Sequence, residues 1–475
     1  MKRTLLSILI ASCSIIQAQI PCINGMAGDY PCNGYDLQVF IPCTDFEADN
    51  ANDSWGWTDP DDGTEYALVG LDNGTAFLDI SDPINPIYLG KLPTHTSSSL
   101  WRDVKVYNNY AFVVSEANGH GIQIFDLTRL RDVANPPETF TEDAHYGGFG
   151  NAHNIVINEE TGYAYGVGAD YSGGAHFVNI QDPLNPIGEG GYSGSGYTHD
   201  AQVVVYDGPD SDYAGKEIYI GSNEDKVVIV DVTNKTNPVL ISVVTYTNDA
   251  YTHQGWFTED LNYFILGDEI DELNFGFNTR NIVFDFTDLD NPQLSFEYSG
   301  PTSATDHNGY VDGDKFYLAN YKAGMRVIDI SDIANGNMTE TGYFDVFING
   351  NSAGYDGAWN VYPYFESGNI LISSLKYSSP DYVPGFYLVK SSALSVDDNS
   401  LSNFSLYPNP SINSVELNST NTPISEISIY DLSGKLLLSK KYNSEININL
   451  NISNLASGIY LLKINNKKSI KLIKN

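Results

Sequence analysis

Basic residues are scarce in this 475-residue chain, which has 24 Lys and Arg against 60 Asp and Glu and a formal net charge of -36. A surface of that sign repels phosphate backbones, so we expect no nucleic-acid partner. Long apolar runs are scarce too, because no segment beyond the N-terminal one approaches the about 18 apolar residues that a membrane helix requires. The composition therefore predicts neither a nucleic-acid-binding protein nor a membrane span.

Sequence motifs for the common catalytic classes are also lacking. There is no Gly-rich phosphate loop, no nucleophile elbow and no zinc-protease helix motif. Phosphoryl transfer and serine hydrolysis therefore have no sequence support.

The N-terminus has the order of a cleavable secretory signal. Basic residues come first, an apolar run extends from Leu5 to Ile16, and the small residue Ala18 follows between two glutamines. We predict a signal peptide over residues 1–18. A lipoprotein signal ending at Cys13 is the alternative, but the apolar stretch before that cysteine is short.

Cysteine is rare, with three residues left after cleavage, Cys22, Cys32 and Cys43. In an oxidising compartment we predict a disulfide between Cys22 and Cys32, which leaves one thiol over. A zinc site is the weaker interpretation, because the spacing fits no compact finger and no histidine lies nearby.

A repeat of about 44 to 54 residues, a length typical of propeller blades, fills most of the chain. Its clearest mark is a short β-branched run that ends in Asp or Asn before a turn, typical of a buried strand. The run occurs at residues 76–79, 122–126, 176–179, 228–231, 282–285 and 326–329. Seven units of four strands each predict an all-β, seven-bladed β-propeller over residues 19–390.

The seventh unit lacks its fourth strand, and residues 36–41 have the missing pattern. We predict that this segment pairs beside residues 386–389 and closes the ring. An open solenoid is the alternative, but it would leave exposed sheet edges.

The C-terminal region differs in composition. A polar linker is predicted over residues 391–402, followed by a domain over residues 403–475. That domain holds eight lysines against four acidic residues, a charge of +4 that leaves -40 for the rest of the chain. Alternating stretches separated by turn signals predict a small, Ig-like β-sandwich.

Three motifs of this tail occur in a specific order, namely Leu406-Tyr-Pro-Asn-Pro410, Ile429-Tyr-Asp-Leu-Ser-Gly-Lys435 and Leu455-Ala-Ser-Gly-Ile-Tyr-Leu-Leu-Lys463. The tail thereby resembles the type A sorting domain of the type IX secretion system of Bacteroidetes. The resemblance implies recognition by the type IX secretion machinery, passage through the outer membrane, removal of the tail, and release or attachment at the cell surface.

Residues from about 22 to 390 resemble the choice-of-anchor B proteins, propellers assembled from LVIVD-type repeats. The resemblance is carried by stretches such as Trp55-Gly-Trp-Thr-Asp59, Tyr66-Ala-Leu-Val-Gly-Leu71 and Thr252-His-Gln-Gly-Trp256. It covers nearly the whole propeller, but it supplies no established activity.

Four of the eight histidines occupy one place in successive repeats, the beginning of the first strand. They are His153, His199, His253 and His307, and the other three units hold Trp55, Arg102 and Trp359 there. Because first strands line the axial channel of a propeller, we predict that the four imidazoles lie on one wall. Converging ring nitrogens would form a site for zinc, copper or iron. The alternative is that duplication repeated a histidine that is hydrogen-bonded locally.

Polar residues nearby would orient the rings or complete the ligand set. Those we single out are Arg102, Asp103, Glu116, Asp170, Asp200 and Asp268. Glu224 and Glu269 also end second strands. The acidic loops at residues 59–63 and 267–272 have spacing that would suit calcium, with solvated turns as the alternative.

Two functions follow as hypotheses. The first is a secreted or surface-displayed propeller that binds an extracellular glycan or protein. The second is a metal-dependent extracellular enzyme, an oxidase or hydrolase, that uses the four histidines. A propeller fold does not decide between them, because propellers host unrelated functions.

Overall fold

The computed structural model describes residues 19–392, 404–419, 423–430, 435–465 and 468–474. The chain forms two compact units, Met1–Ser391 and Ser392–Asn475. The predicted signal peptide and most of the predicted linker lie outside the described residues, so both stay predictions. Within the described ranges, no helix is long and apolar enough to cross a membrane.

Seven antiparallel sheets make up the first unit, and each contains four strands that run from an inner to an outer position. In blade order, the inner strands are Ala51–Thr58, Arg102–Tyr107, Asn154–Asn158, Asp200–Val205, Thr252–Phe257, Gly309–Asp312 and Gly357–Tyr362. The second strands are Glu65–Leu71, Tyr110–Ser115, Tyr163–Val167, Glu217–Ser222, Tyr263–Asp268, Lys315–Ala319 and Asn369–Leu375.

The third strands are Gly74–Asp79, Ile122–Asp126, Ala175–Asn179, Val227–Asp231, Arg280–Asp285, Met325–Asp329 and Gly385–Ser391. The outer strands are Ile87–Pro93, Ala144–Tyr146, Ile187–Tyr192, Val239–Val244, Gln293–Ser299, Thr339–Phe344 and Tyr35–Pro42. Glu138–Thr139 adds a short parallel strand to the outer edge of blade 1. The helices are short: 3₁₀ turns at Cys43–Phe46, Leu127–Leu130, Ser211–Tyr213 and Ile333–Asn335, and an α-helix at Asp271–Phe275.

The inner strands form a closed ring. Each one contacts the inner strand of the next blade, and the strand of blade 7 contacts that of blade 1. The sequence prediction of a seven-bladed β-propeller is confirmed.

The Asp that ends most of the third strands holds the following turn. Asp79 Oδ1 accepts hydrogen bonds from the backbone N–H and the hydroxyl of Ser81, at 2.9 and 2.6 Å. Asp285 and Asp329 do the same for the residue two positions further on. A short acidic side chain that satisfies a backbone donor favours a turn, so the strand ends there.

The hydrophobic core is divided among the seven interfaces between adjacent blades. Blades 1 and 2, for example, bury Leu68 and Phe77 against Val113 and Phe125, with the Phe77 and Phe125 rings stacked at 4.7 Å. Blade 7 packs on blade 1 through a core of the same kind, which includes Leu388 and Val69. The ring is therefore held by apolar packing at every joint, as expected for strands that are apolar on both faces.

Residues near the two ends of the first unit are paired with each other. Tyr35–Pro42 lies antiparallel to Gly385–Ser391, from the pair Tyr35 and Ser391 to the pair Pro42 and Gly385. The preceding hairpin, Met26–Ala27 and Tyr30–Asn33, adds to the outer edge of blade 6. A disulfide joins Cys22 to Cys32, and Cys43 is a buried free thiol.

The second unit contains two antiparallel sheets among its described residues. One is formed by Phe404–Tyr407, Ser414–Ser419 and Asn447–Asn451, and the other by Leu436–Glu445, Ile424–Tyr430, Gly458–Ile464 and Lys468–Lys474. Both contribute to a shared core that includes Val415, Leu417, Ile427 and Leu462, so they form a sandwich.

Candidate functional site

The four repeated histidines form a continuous arc at the axis, which we call the histidine arc. Adjacent ring centroids lie 4.1 Å apart for His153 and His199, 4.2 Å for His199 and His253, and 4.3 Å for His253 and His307. Trp359 extends the arc, 4.3 Å from His307. All five side chains are buried.

Strand pairing places these histidines at the same height. The backbone N–H of His153 donates to the carbonyl of Val167, that of His199 to Ser222, and that of His307 to Ala319, at 2.9, 2.8 and 2.9 Å. Each acceptor is the last residue of a second strand. His253 lies in a bulge between Thr252 and Gln254, where an extra residue re-aims a side chain.

Hydrogen bonds fix the proton of three imidazoles on Nδ1. The Nδ1–H of His153 donates to Glu116 Oε1 at 2.6 Å, that of His199 to the carbonyl of His253 at 3.3 Å, and that of His307 to the carbonyl of Trp359 at 2.5 Å. Since a neutral imidazole carries one proton, Nε2 of His199 and of His307 keeps its lone pair. His253 differs, because neither of its ring nitrogens has a hydrogen-bond partner among the described residues.

Glu269 follows the second strand of blade 5 and reaches two members of the arc. Its carboxylate oxygens lie 3.8 Å from His253 Nε2 and 4.0 Å from His307 Nε2. The Tyr321 hydroxyl donates to Glu269 Oε1 at 2.6 Å and orients the carboxylate. One ligand atom from each of His253, Glu269 and His307 lies within 4.8 Å of the others. His153 and His199 continue the arc outside this three-residue group.

Burial controls the protonation of the site. It lowers the pKa of His199 and His253 well below the usual value, helped by the neighbouring imidazoles, and it lowers the pKa of His307 to about 3. It also raises the pKa of Glu269 to about 7, against the hydrogen bond from Tyr321. These three histidines are therefore neutral near pH 7, the form of imidazole that binds metals.

Three of the residues that follow the arc positions bond to the next blade rather than to the rings. Asp103 Oδ2 accepts from the N–H of Ile155 at 2.9 Å, and Gln254 Oε1 accepts from the N–H of Gly309 at 2.9 Å. Asn154 donates to the carbonyl of His199 at 3.3 Å. These side chains therefore connect the inner strands, and they act on the arc only by holding the strands in place.

Below the arc lies a buried charged group that the sequence analysis did not foresee in full. Lys105 Nζ lies 2.5 Å from Asp103 Oδ1. Against the effect of burial, the Asp103 and Asp53 carboxylates raise the pKa of Lys105. Burial raises the pKa of Asp200 to about 7, while Lys105 opposes the rise. A lysine on an inner strand with acidic neighbours was the signal for this group.

The placement of Trp55 beside the histidines is wrong. A bulge between Ala51 and Ser54 puts Asn52 and Asp53 at that level of blade 1, where Asp53 accepts from Trp359 Nε1 at 2.9 Å. Trp55 lies farther along its strand. There it lines a pocket of about 140 Å³, together with Trp256 and Tyr310.

Arg102 occupies the predicted register but points away from the arc. Its guanidinium donates to the carbonyl of Leu71 at 2.9 Å, to the Thr94 hydroxyl at 2.8 Å and to His120 Nε2 at 3.0 Å. The physical reason is that a buried cation needs hydrogen-bond acceptors. These three groups supply them, whereas in the arc the guanidinium would lie next to other hydrogen-bond donors.

Two predicted accessory ligands do not reach the arc. Asp170 is bonded to His176 Nδ1 at 2.9 Å. Asp268 accepts from the N–H groups of Ala250 and Tyr251 and from the Tyr246 hydroxyl, at 2.8, 2.7 and 2.7 Å. Glu116 touches the arc through His153.

In the two predicted acidic loops, arginine side chains pair with several of the carboxylates that would hold calcium. The guanidinium of Arg131 donates to both oxygens of Asp59, at 2.5 and 2.6 Å, and lies 2.8 Å from Asp61. In the other loop, Asp271 is paired with Arg280 at 2.6 Å. Because arginine supplies the positive charge, these carboxylates have their counter-ion already.

A pocket of about 200 Å³ adjoins the arc at Trp359 and Glu269. Five aromatic side chains line it, together with Glu269, Leu100 and Leu375; they are Trp101, Tyr321, Tyr355, Trp359 and Tyr377. Tyr377 is 63% exposed and Trp101 is 40% exposed, so the pocket opens to solvent. The three tyrosines were not predicted from the sequence. Tyr321 and Tyr377 lie two residues after a second strand, and Glu269 lies directly after one, which was the available signal.

Two family comparisons match parts of the chain. The family described as LVIVD repeat matches residues 64–94, 101–122, 212–246 and 310–345. The family described as secretion system C-terminal sorting domain matches residues 405–475. The protein is therefore a β-propeller with LVIVD repeats and a sorting tail for type IX secretion, which indicates export to the cell surface or secretion. The choice-of-anchor B resemblance and the bacterial phylum stay predictions.

Several solved structures are similar in fold. PorZ of Porphyromonas gingivalis, described as an essential bacterial surface component of the type-IX secretion system, is 13% identical, with a TM-score of 0.44 over 87% of this chain and 58% of that chain. The Cps50 (Swd1) propeller of Myceliophteria thermophila is 8% identical, with a TM-score of 0.45 over 74% and 98%. Sqt1 of Saccharomyces cerevisiae is 8% identical, with a TM-score of 0.47 over 74% and 97%.

These similarities are too low to transfer a function, and this chain spans little more than half of the PorZ chain. No curated protein matches the chain at a significant level.

Proposed function

We propose that the exported propeller is a binding module that recognises an extracellular glycan through the aromatic pocket beside the histidine arc. The observation that carries the proposal is the lining of that pocket, five aromatic side chains around one half-buried carboxylate. Aromatic faces pack against the apolar faces of sugar rings, while tyrosine hydroxyls and a carboxylate bond to sugar hydroxyls.

The size of the pocket limits what it accepts. Its volume of about 200 Å³ is below the about 300–1,000 Å³ of pockets for drug-sized ligands. It therefore suits a single terminal ring rather than the interior of a long chain. The sorting tail supports an extracellular ligand, because export brings the pocket into contact with extracellular glycans. Neither family match supports the second hypothesis, an oxidase or hydrolase.

A glycan array with the labelled full-length mature protein tests the proposal. We expect a defined set of glycans with a common terminal sugar to bind. Tyr377→Ala and Trp101→Ala should each weaken binding about fivefold, because each removes an exposed aromatic face worth about 1 kcal/mol. Ile187→Ala is the control, since this side chain is 59% exposed on the outer strand of blade 3.

Circular dichroism should show that all three variants remain folded. Glycan binding that is equally strong in Tyr377→Ala and Trp101→Ala would contradict the proposal. So would an array without any bound glycan, and retention of a protein ligand instead would favour the other partner class.

A further inference from the structure

We infer that His253, His307 and Glu269 bind a divalent transition metal ion of the zinc(II) class at the axis of the propeller. The inference does not depend on the glycan proposal, because its ligand is a metal ion and its two histidines lie in the arc, while Glu269 belongs to both sites. It narrows the four-histidine prediction to two histidines and adds a carboxylate.

The separations of the donor atoms fit such an ion. Metal–ligand bonds of about 2.0–2.1 Å in a tetrahedral site place neighbouring donors about 3.3 Å apart. His253 Nε2 and His307 Nε2 lie 3.8 and 4.0 Å from the oxygens of Glu269. Small side-chain rotations would therefore close the site, without movement of the strands.

His253 provides an independent observation. Its side chain is 1% exposed, yet neither ring nitrogen has a hydrogen-bond partner among the described residues. A buried polar group without a partner is costly, and native proteins rarely leave one. Binding of a metal to Nε2 would satisfy the nitrogen that faces Glu269.

The surroundings of the other two ligands have the arrangement found around metal sites. The Nδ1–H of His307 donates to the carbonyl of Trp359, which leaves the lone pair of Nε2 directed to Glu269. Metal-binding imidazoles typically donate their other N–H to a carbonyl or carboxylate in this way. The hydroxyl of Tyr321 orients the carboxylate of Glu269.

Three protein ligands leave a tetrahedral ion one free position. Glu269 also lines the aromatic pocket, so that position would be open to water or to an oxygen of a molecule bound in the pocket. A site of this kind differs from a closed structural site, in which protein ligands fill every position.

Metal binding to the full-length protein tests the inference. The protein is treated with a chelator, equilibrated with zinc chloride and passed through gel filtration, and the metal is measured by mass spectrometry. We expect about one zinc per chain for the wild type. We expect Glu269→Gln, whose amide oxygen still accepts from Tyr321, to weaken zinc binding at least about 100-fold. Cobalt(II) in place of zinc should give the visible absorption of a low-coordinate ion in the wild type alone.

Two control variants test whether zinc binding is specific to the proposed ligands. Asp288→Asn removes a carboxylate from the exposed group of Asp210, Asp288 and Asp290, and His176→Gln removes a histidine outside the arc. Both should keep the zinc. Zinc should also raise the melting temperature of the wild type by several degrees and leave that of Glu269→Gln unchanged. A folded wild type without zinc, or zinc that remains in Glu269→Gln, would overturn the inference.

Discussion

His120 is buried outside the histidine arc, in a cluster that the sequence analysis did not foresee. Its Nδ1–H donates to the carbonyl of Gly121 at 3.0 Å, and its Nε2 accepts from Arg102 at 3.0 Å. Burial, with Arg102 as the next cause, lowers the pKa of His120 to about 4. A proton on this ring would lie beside a guanidinium in a dry environment, so the folded protein holds the ring neutral.

The pKa of His120 predicts a pH dependence of stability. Between about pH 6.5 and pH 4 the unfolded chain binds a proton at this residue that the folded protein does not, so stability falls as the pH decreases. His120→Gln removes the effect. From about pH 7 to about pH 5, the unfolding free energy of the variant relative to the wild type should shift by about 2 kcal/mol in favour of the variant.

Urea unfolding at the two pH values measures this difference, and nuclear magnetic resonance of the His120 ring gives a direct check. Parallel pH profiles for the two proteins, or a ring that titrates near pH 6.5, would show that the environment described for His120 is wrong.

At the scale of single residues, the positions of the four histidines could be predicted from the sequence better than the groups that interact with them. The four histidines could be aligned because regular strands keep their register, and the alignment failed at Trp55, where the bulge of blade 1 adds residues. The role of Glu269 depends on the loop after a second strand, which has no repeated pattern. Side-chain direction was also beyond reach, as Arg102 shows, because distant residues supply its acceptors.

At the scale of elements, the N-terminal segment connects two blades. The hairpin of Met26–Ala27 and Tyr30–Asn33 extends blade 6, and Tyr35–Pro42 completes blade 7. Asp36 accepts from the N–H of Cys22 at 2.8 Å, which ties the start of the hairpin to the following strand. The disulfide encloses this hairpin, so it stabilises the element that covers the joint.

Removing the disulfide should loosen this hairpin. A cross-link that closes a loop of about ten residues lowers the entropy of the unfolded chain, which stabilises the folded protein by about 3 kcal/mol. The unfolding free energy of the double variant Cys22→Ala, Cys32→Ala should therefore fall by up to that amount. Limited proteolysis should then cut within residues 19–34 before the rest of the propeller is attacked. Cys43→Ala is the control, because it removes a buried thiol but no cross-link. Equal protease resistance of the double variant and this control would contradict the expectation.

Most strands could be predicted from the sequence because they are apolar, β-branched and repeated. The hairpin at residues 26–33, the strand Glu138–Thr139 and the helix Asp271–Phe275 could not. Each is short, and the two strand elements are stabilised by pairing with distant segments rather than by local propensity.

At the scale of the whole molecule, the charge of -36 acts against folding. Like charges on a compact surface repel one another, and dissolved salt screens this repulsion over a Debye length of about 10 Å at 0.1 M. Buried pairs such as Lys235 and Glu217, 2.5 Å apart, are screened much less.

Salt should therefore stabilise the protein. We expect the melting temperature to rise by several degrees between about 0.01 and 1 M sodium chloride, in the presence of a chelator. Potassium chloride should have the same effect, since screening does not depend on the identity of the ion. A melting temperature that is constant or decreases with salt would show that surface repulsion is unimportant here.

The pairing of Tyr35–Pro42 with Gly385–Ser391 determines when the ring can close as the chain emerges. A chain that emerges from its N-terminus has to hold this early strand without its partner until nearly the whole propeller has been delivered. Loop closure over such a separation is slow, and an unpaired strand invites association with other chains. Completion of the ring is thus delayed until just before the sorting tail follows, so that the last step of folding and the arrival of the export signal come close together.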